Sequence, residues 1–239
     1  MKDVLRPPLL SEEGGMAVRK QIRAAMGRCY FGPADWSGFY KGNYMASDCL
    51  AAPRFRWDIS VLDEPCPFRQ EGSSARVRDT HFVSLGLETL GGQPLTLARF
   101  VAIHPSDRVP HFNAGVVLGE RAAQRTRGGL RWYLTYQGIV PNSNLYSPEE
   151  QLVLLCDKYG AYEVPFALEV AMVHAFYVRK CHGHLNPNHY VRCKDRTAQR
   201  GWIEVGCSDD TGIEISHSPS DISANTDIGI GASRRLPEE

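Results

Sequence analysis

The chain has 239 residues, with 27 basic and 27 acidic side chains and therefore no formal net charge at neutral pH. A hydrophobic content of 43% and a charged content of 23% are ordinary for a globular protein, so a chain that is disordered, collagen-like or coiled-coil throughout is excluded. Zero net charge also excludes attraction of nucleic acid or anionic membranes by the protein as a whole. Any such binding must be local.

The first residues, MKDVLRPPLLSEEGG, lack the apolar stretch of a secretory signal. The longest apolar run, Val164 to Val178, is interrupted by Glu169 and His174, and it is shorter than the ~20 residues that cross a bilayer. Seven cysteines at irregular spacing favour reduced thiols over a disulfide framework. We therefore expect a cytoplasmic protein without a membrane partner, or one of the host cytosol or nucleus if it is viral or an effector.

The N-terminal half is predicted to contain one helix and several strands. Residues 1–14 are expected to form a flexible arm, and apolar residues at helical spacing predict an amphipathic helix between Gly15 and Gly27. Four segments with strand-like composition are separated by turn residues, at 80–90, 95–104, 114–118 and 130–140.

Two helices are predicted in the C-terminal half. Ser147 can cap the first, Pro148 suits its first turn and Glu150 completes a capping box, so the helix should begin there and end at Gly160. The second, at 164–180, is apolar on nearly every side and should be buried.

Further strands are predicted at 202–205 and 212–215, and residues 217–239 are polar enough to predict a mobile tail. The predicted fold is therefore α+β, with a mainly antiparallel sheet, an N-terminal helix and two C-terminal helices next to a metal-binding loop. Residues 15–216 would form one domain, unless a sub-boundary falls near 142–147.

The strongest chemical signal is a cluster of cysteine and histidine in the sequence RKCHGHLNPNHYVRCKDR. Cys181, His184, His189 and Cys193 are separated by two, four and three residues, with His182 as a spare. Zinc in structural sites takes four such ligands in a tetrahedron. The pattern predicts a structural zinc site, and the alternative is a chance cluster on a solvated basic face.

This segment resembles motifs of two protein families. Its spacing is similar to the retroviral-type zinc knuckle, Cys-x2-Cys-x4-His-x4-Cys, with His184 in place of the second cysteine and one residue fewer before Cys193. The string from Asn186 to His189 also resembles the Asn-Pro-x-His of zinc-containing His-Me finger (HNH-type) endonucleases. That second resemblance implies a catalytic histidine just upstream, His182 or His174. It also implies a metal-binding asparagine downstream, where Ala198 and Gln199 stand.

Local charge agrees with a nucleic-acid partner. Basic residues surround the cluster: Arg179, Lys180, Arg192, Lys194, Arg196 and Arg200. They would contact phosphates, while Tyr190 and Trp202 could stack on bases. In a nuclease, His182 or His174 would activate water, and Asp195 or Gln199 would help to bind a second divalent ion such as magnesium. Binding without cleavage is preferred.

Two other functions stay open. Cys49 followed by His81 or His104 is compatible with a cysteine-dependent hydrolase or amidase, in which a histidine activates the thiol. Alternatively, the protein is a viral or effector adaptor whose zinc loop only supports a surface for a protein partner. Motifs for nucleotide binding, zinc proteases, serine hydrolases and zinc deaminases are absent from the sequence.

Overall fold

A computed structural model describes residues 12–42, 53–125, 128–219 and 224–237, and these form the mixed α+β fold that the sequence predicts. Its α-helices are α1 (Glu12–Met26), α2 (Pro33–Phe39), α3 (Val77–Thr80), α4 (Leu97–Ala102), α5 (Arg121–Arg125), α6 (Pro148–Lys158) and α7 (Ala167–Cys181). Its strands are β1 (Tyr30–Phe31), β2 (His81–Leu85), β3 (Thr89–Leu90), β4 (Gln93–Pro94), β5 (Phe112–Asn113), β6 (Trp132–Tyr136), β7 (Tyr162–Glu163), β8 (Tyr190–Arg196), β9 (Trp202–Asp209), β10 (Gly212–Ser218), β11 (Ile228–Ile230) and β12 (Ser233–Arg234).

The strands form two five-stranded sheets and one small hairpin. The first sheet has the order β1-β2-β6-β12-β7 and the second β11-β8-β9-β10-β5, while β3 pairs with β4. Most pairs are antiparallel, and β1 with β2, β10 with β5 and β11 with β8 are parallel. The predicted mainly antiparallel sheet is thus confirmed, although it is divided in two.

Helix α7 lies at the centre of the core. It contacts β6 of the first sheet and β8, β9 and β10 of the second. Every residue from Ala167 to Phe176 is buried, as expected for a helix that is apolar on nearly all sides. Phe176 stacks on Phe31 with their ring centroids 3.6 Å apart, and this contact ties α7 to the N-terminal segment.

The helix at 147–160 is confirmed in its position and in its capping chemistry. The Ser147 hydroxyl accepts a hydrogen bond from the Glu150 backbone N–H, and the Glu150 carboxylate accepts one from the Ser147 N–H. The predicted amphipathic helix near the N-terminus is also confirmed as α1, which buries Ile22 and Met26. Residues 1–11 of the predicted arm at 1–14 lie outside the described residues. Residues 12–14 belong to α1, which begins at Glu12.

Two predicted strands are wrong. Residues 95–104 contain α4, because the Thr96 hydroxyl accepts a hydrogen bond from the Arg99 N–H and caps a helix there. Residues 114–118 lie largely in a 3₁₀ helix, Gly115–Gly119, whose first residue has a φ of 43° that glycine adopts without strain. Both segments are apolar and short, so periodicity alone did not separate helix from strand.

The prediction of a mobile tail is wrong for 224–237, because this segment supplies β11 and β12. Strand β12 lies between β6 and β7, with Ser233 paired to Thr135 and Glu163. The glycines here permit close packing: a Cβ at Gly231 would collide with Val191 and Pro165. The predicted loop at 181–193 is likewise shorter than expected, since β8 begins at Tyr190.

Candidate nucleic-acid interface

The four predicted zinc ligands lie in different surroundings. Cys193 is fully buried in β8 and its thiol donates to the Val191 carbonyl oxygen at 3.3 Å. Cys181 ends α7 and lies beside Cys29, whereas His184 contacts residues of the β9–β10 hairpin and His189 is partly exposed before β8. Within the described ranges, no group of three or more His, Cys, Asp or Glu side chains is placed to hold a metal ion. The structure therefore does not bring this set together.

The predicted nuclease residues are also dispersed. The Asp195 carboxylate accepts a hydrogen bond of 2.6 Å from the Ala167 N–H, so it stabilises the first turn of α7. His182 is exposed just after the other end of the helix, with a left-handed φ of 54°. At 1.5 Å per residue, the 15-residue helix separates the two by ~20 Å.

His174 lies within α7 and is 1% exposed. Burial lowers its pKa to about 3, so the ring is neutral at physiological pH. In the part of the chain that is described, neither ring nitrogen has a hydrogen-bond partner. It lines a cavity of about 10 Å³ together with Gln137 and Asn186, and this volume suits about one water molecule.

Cys49 lies outside the described residues, but its two predicted partners are core histidines. His104 Nε2 is 2.9 Å from the Tyr40 hydroxyl and its Nδ1 is 2.7 Å from the Phe100 carbonyl oxygen. This arrangement suits a neutral ring that donates from Nδ1. His81 Nδ1 is 3.1 Å from the Val77 carbonyl oxygen. Burial lowers the pKa of His81 to about 3 and that of His104 to about 4.

His184 sits between a serine and an aspartate in an arrangement that superficially resembles a hydrolase triad. Its Nδ1 is 3.1 Å from the Ser208 hydroxyl and its Nε2 is 3.2 Å from the Asp210 carboxylate. Ser208, however, is completely buried while Asp210 is fully exposed. A nucleophile must be accessible and its supporting aspartate enclosed, so this trio does not suit acyl transfer. The neighbouring cavity, lined by His111, is also only about 10 Å³.

The six predicted phosphate-binding residues divide into three groups. Arg192 is 1% exposed, pairs with Glu204 at 3.3 Å and donates to Gln151, so it belongs to the interior. Lys194 and Arg200 are exposed and Arg196 packs on Trp202. All three are close in sequence to Asp195, whose carboxylate binds the N-terminal end of α7. Arg179 and Lys180 lie in the last turn of α7, at the opposite end.

Further exposed basic residues, which the sequence analysis did not single out, lie in the N-terminal segment. Helix α1 buries Ile22 and Met26 and presents Lys20 and Arg23 to solvent on its other side, and Arg28 is exposed just after it. Residues 15–34 contain four basic and no acidic side chains. This run of basic residues was the feature of the sequence that could have identified the segment, but it is inconspicuous in a protein without net charge.

The structure packs this N-terminal segment against the end of α7. The Lys180 ammonium donates to the Tyr30 carbonyl oxygen at 2.6 Å, and the side chains of Cys29 and Cys181 lie beside each other. The last turn of α7, with Arg179 and Lys180, thus meets the basic segment that lies about 150 residues earlier in the sequence.

One carboxylate forms an ion pair with this region, and one aromatic ring packs against it. Asp35 is 8% exposed and forms an ion pair of 2.9 Å with Lys180, so that pair is neutral. The Arg179 guanidinium lies 5.4 Å from the ring centroid of Phe39, which is 39% exposed. We define the α1–α7 basic surface as Lys20, Arg23, Arg28, Arg179 and Lys180.

Comparisons of the chain with protein-family models, curated proteins and solved structures found no match. Among the described residues, no helix has the length and apolar character that spanning a membrane requires.

Proposed function

We propose that this protein binds nucleic acid through the α1–α7 basic surface. The observation that carries the proposal is the packing of the last turn of α7, with Arg179 and Lys180, against the basic segment 15–34 in a chain of zero net charge. Such a concentration of one sign of charge attracts a polyanion even though the protein as a whole does not.

The positions of the side chains suit contacts with phosphates. Lys20 and Arg23 are three residues apart, so they project from the same exposed side of α1. In the described part of the chain, Lys180 is the member of the surface that pairs with a carboxylate. Lys20, Arg23 and Arg28 are exposed, so their charges are accessible to phosphate oxygens.

The proposal is binding without cleavage and without a required metal ion. The predicted catalytic residues His182 and Asp195 lie at opposite ends of α7, and the predicted zinc ligands are not grouped. The cavities beside α7 hold about one water molecule each, which favours a macromolecular ligand on the surface over a small-molecule substrate in those cavities.

Salt dependence provides the test. If four members of this surface each contact a phosphate of duplex DNA, the affinity should fall on the order of 100-fold between 50 and 200 mM salt. Fluorescence anisotropy with labelled single-stranded and duplex oligonucleotides measures this dependence. The double variant Lys20→Gln/Arg23→Gln should bind more weakly, with a salt slope that is smaller by about two.

The matched control is Arg121→Gln/Arg125→Gln, which removes the same charge from exposed positions on α5 and should leave binding unchanged. A third variant, Lys194→Gln/Arg200→Gln, tests the exposed basic residues at the other end of α7. The proposal is overturned if wild type does not bind at 50 mM salt. It is also overturned if only the third variant weakens binding.

A further inference from the structure

Two cysteines that are far apart in sequence meet within the α1–α7 basic surface. Cys29 lies in the 3₁₀ turn Gly27–Cys29 that follows α1, and Cys181 is the last residue of α7. The 3₁₀ turn packs against α7, the Lys180 ammonium next to Cys181 donates to the Tyr30 carbonyl oxygen next to Cys29, and both cysteines are partly exposed with their side chains beside each other. Cys66 and Cys193, by contrast, are completely buried.

Contacts around the pair distinguish its two sulfur atoms. The Gln137 side-chain amide donates to Cys29 Sγ at 3.3 Å. The positive charge of Lys180 acts on both thiols. Hydrogen bonds to a sulfur favour its thiolate, so Cys29 is the better placed to attack and Cys181 to follow.

We propose that Cys29 and Cys181 are a site of reversible oxidation at which a hydroperoxide converts the thiol pair to an intrachain disulfide. The Cys29 thiolate attacks one peroxide oxygen, the O–O bond breaks, and the leaving oxygen takes up a proton, which gives a sulfenic acid and water or an alcohol. The Cys181 sulfur then attacks the Cys29 sulfur and releases water. Overall, two thiols lose two hydrogens and the peroxide is reduced.

This disulfide would join the segment after α1 to the end of α7 and would close a loop of about 150 residues. It would therefore connect the two halves of the basic surface covalently. Burial raises the pKa of both thiols, that of Cys181 to about 11, so the oxidation should be slow at neutral pH and faster in alkaline buffer. The inference stands independently of nucleic-acid binding.

The test begins with the full-length protein, reduced and freed of reductant, then treated with hydrogen peroxide at mildly alkaline pH. Thiol titration should show the loss of two of the seven thiols, and dithiothreitol should restore them. Mass spectrometry of an unreduced digest should show the peptides of Cys29 and Cys181 joined. This readout on wild type does not depend on how any variant folds.

The variants Cys29→Ser and Cys181→Ser should each lose the cross-link, whereas Cys156→Ser, at an exposed cysteine on α6, should retain it. The inference is overturned if wild type forms no disulfide between these peptides. It is equally overturned if Cys29→Ser loses two thiols reversibly at the rate of wild type.

Discussion

Replacing Glu169 by glutamine should make the stability of the fold less sensitive to pH. Glu169 is 3% exposed on α7 and accepts a hydrogen bond of 2.6 Å from the Thr135 hydroxyl of β6 and another from Ser233 of β12. Burial raises its pKa to about 7, although these hydrogen bonds oppose the increase. The side chain therefore connects α7 to the first sheet, and its burial favours the neutral acid.

The magnitude follows from the difference between the folded and unfolded pKa values. Because the folded pKa of about 7 exceeds the ordinary value of 4.5, the contribution of Glu169 is fully present below pH 4.5 and is lost as the pH rises through 7. One unit is worth about 1.36 kcal/mol, so wild type should lose about 2 to 3 kcal/mol through this group between pH 5 and pH 8.

Denaturant unfolding of wild type and Glu169→Gln, measured at several pH values, checks this reasoning. A glutamine keeps the shape of the neutral acid and cannot ionise, so the variant should gain stability relative to wild type by that amount as the pH rises from 5 to 8. Glu71→Gln, at an exposed turn, is the control and should follow wild type. A difference between Glu169→Gln and wild type that stays constant over this pH range would refute the argument.

Two further predictions concern the folding of single elements. Ser147→Ala removes both the hydroxyl acceptor and its capping box at α6, so thermal or denaturant unfolding should show a loss of about 1 kcal/mol, whereas Ser147→Thr should lose much less. Gly206→Ala places a Cβ against the His189 carbonyl oxygen and the Tyr190 backbone, so it should destabilise the β8–β9 pair by about 1 to 3 kcal/mol. Native-state hydrogen exchange should then be faster in β8, and unchanged exchange there would show that the pairing does not need this glycine.

The sequence predicted only part of the candidate interface. The sequence directed attention to 174–200 because cysteine, histidine and basic residues are concentrated there. It could not reveal that Arg192 points inward, since the pairing of β8 with β9 sets that side chain opposite Glu204. Nor could it show that Lys180 contacts Tyr30 in the segment that follows α1, because this contact depends on how α7 packs in the core.

The elements that were predicted correctly have local causes. Helix α6 is specified by Ser147, Pro148 and Glu150, whose hydrogen bonds lie within one turn, and α7 by a long apolar run. The short apolar segments at 95–104 and 114–118 were misassigned because a few residues are compatible with either a helix or a strand. There, a cap at Thr96 and a left-handed glycine at 115 decided the outcome.

By itself, the sequence determined the α+β class, the principal helices, the burial of α7 and the absence of a whole-protein charge. Only the tertiary structure decided which distant residues meet: Glu169 with Ser233, Cys29 with Cys181, and the segment that follows α1 with the end of α7. The physical reason is the separation along the chain over which each kind of interaction acts. Caps and periodicity act over a few residues, whereas these contacts arise when a shared hydrophobic core brings together segments separated by tens to more than a hundred residues.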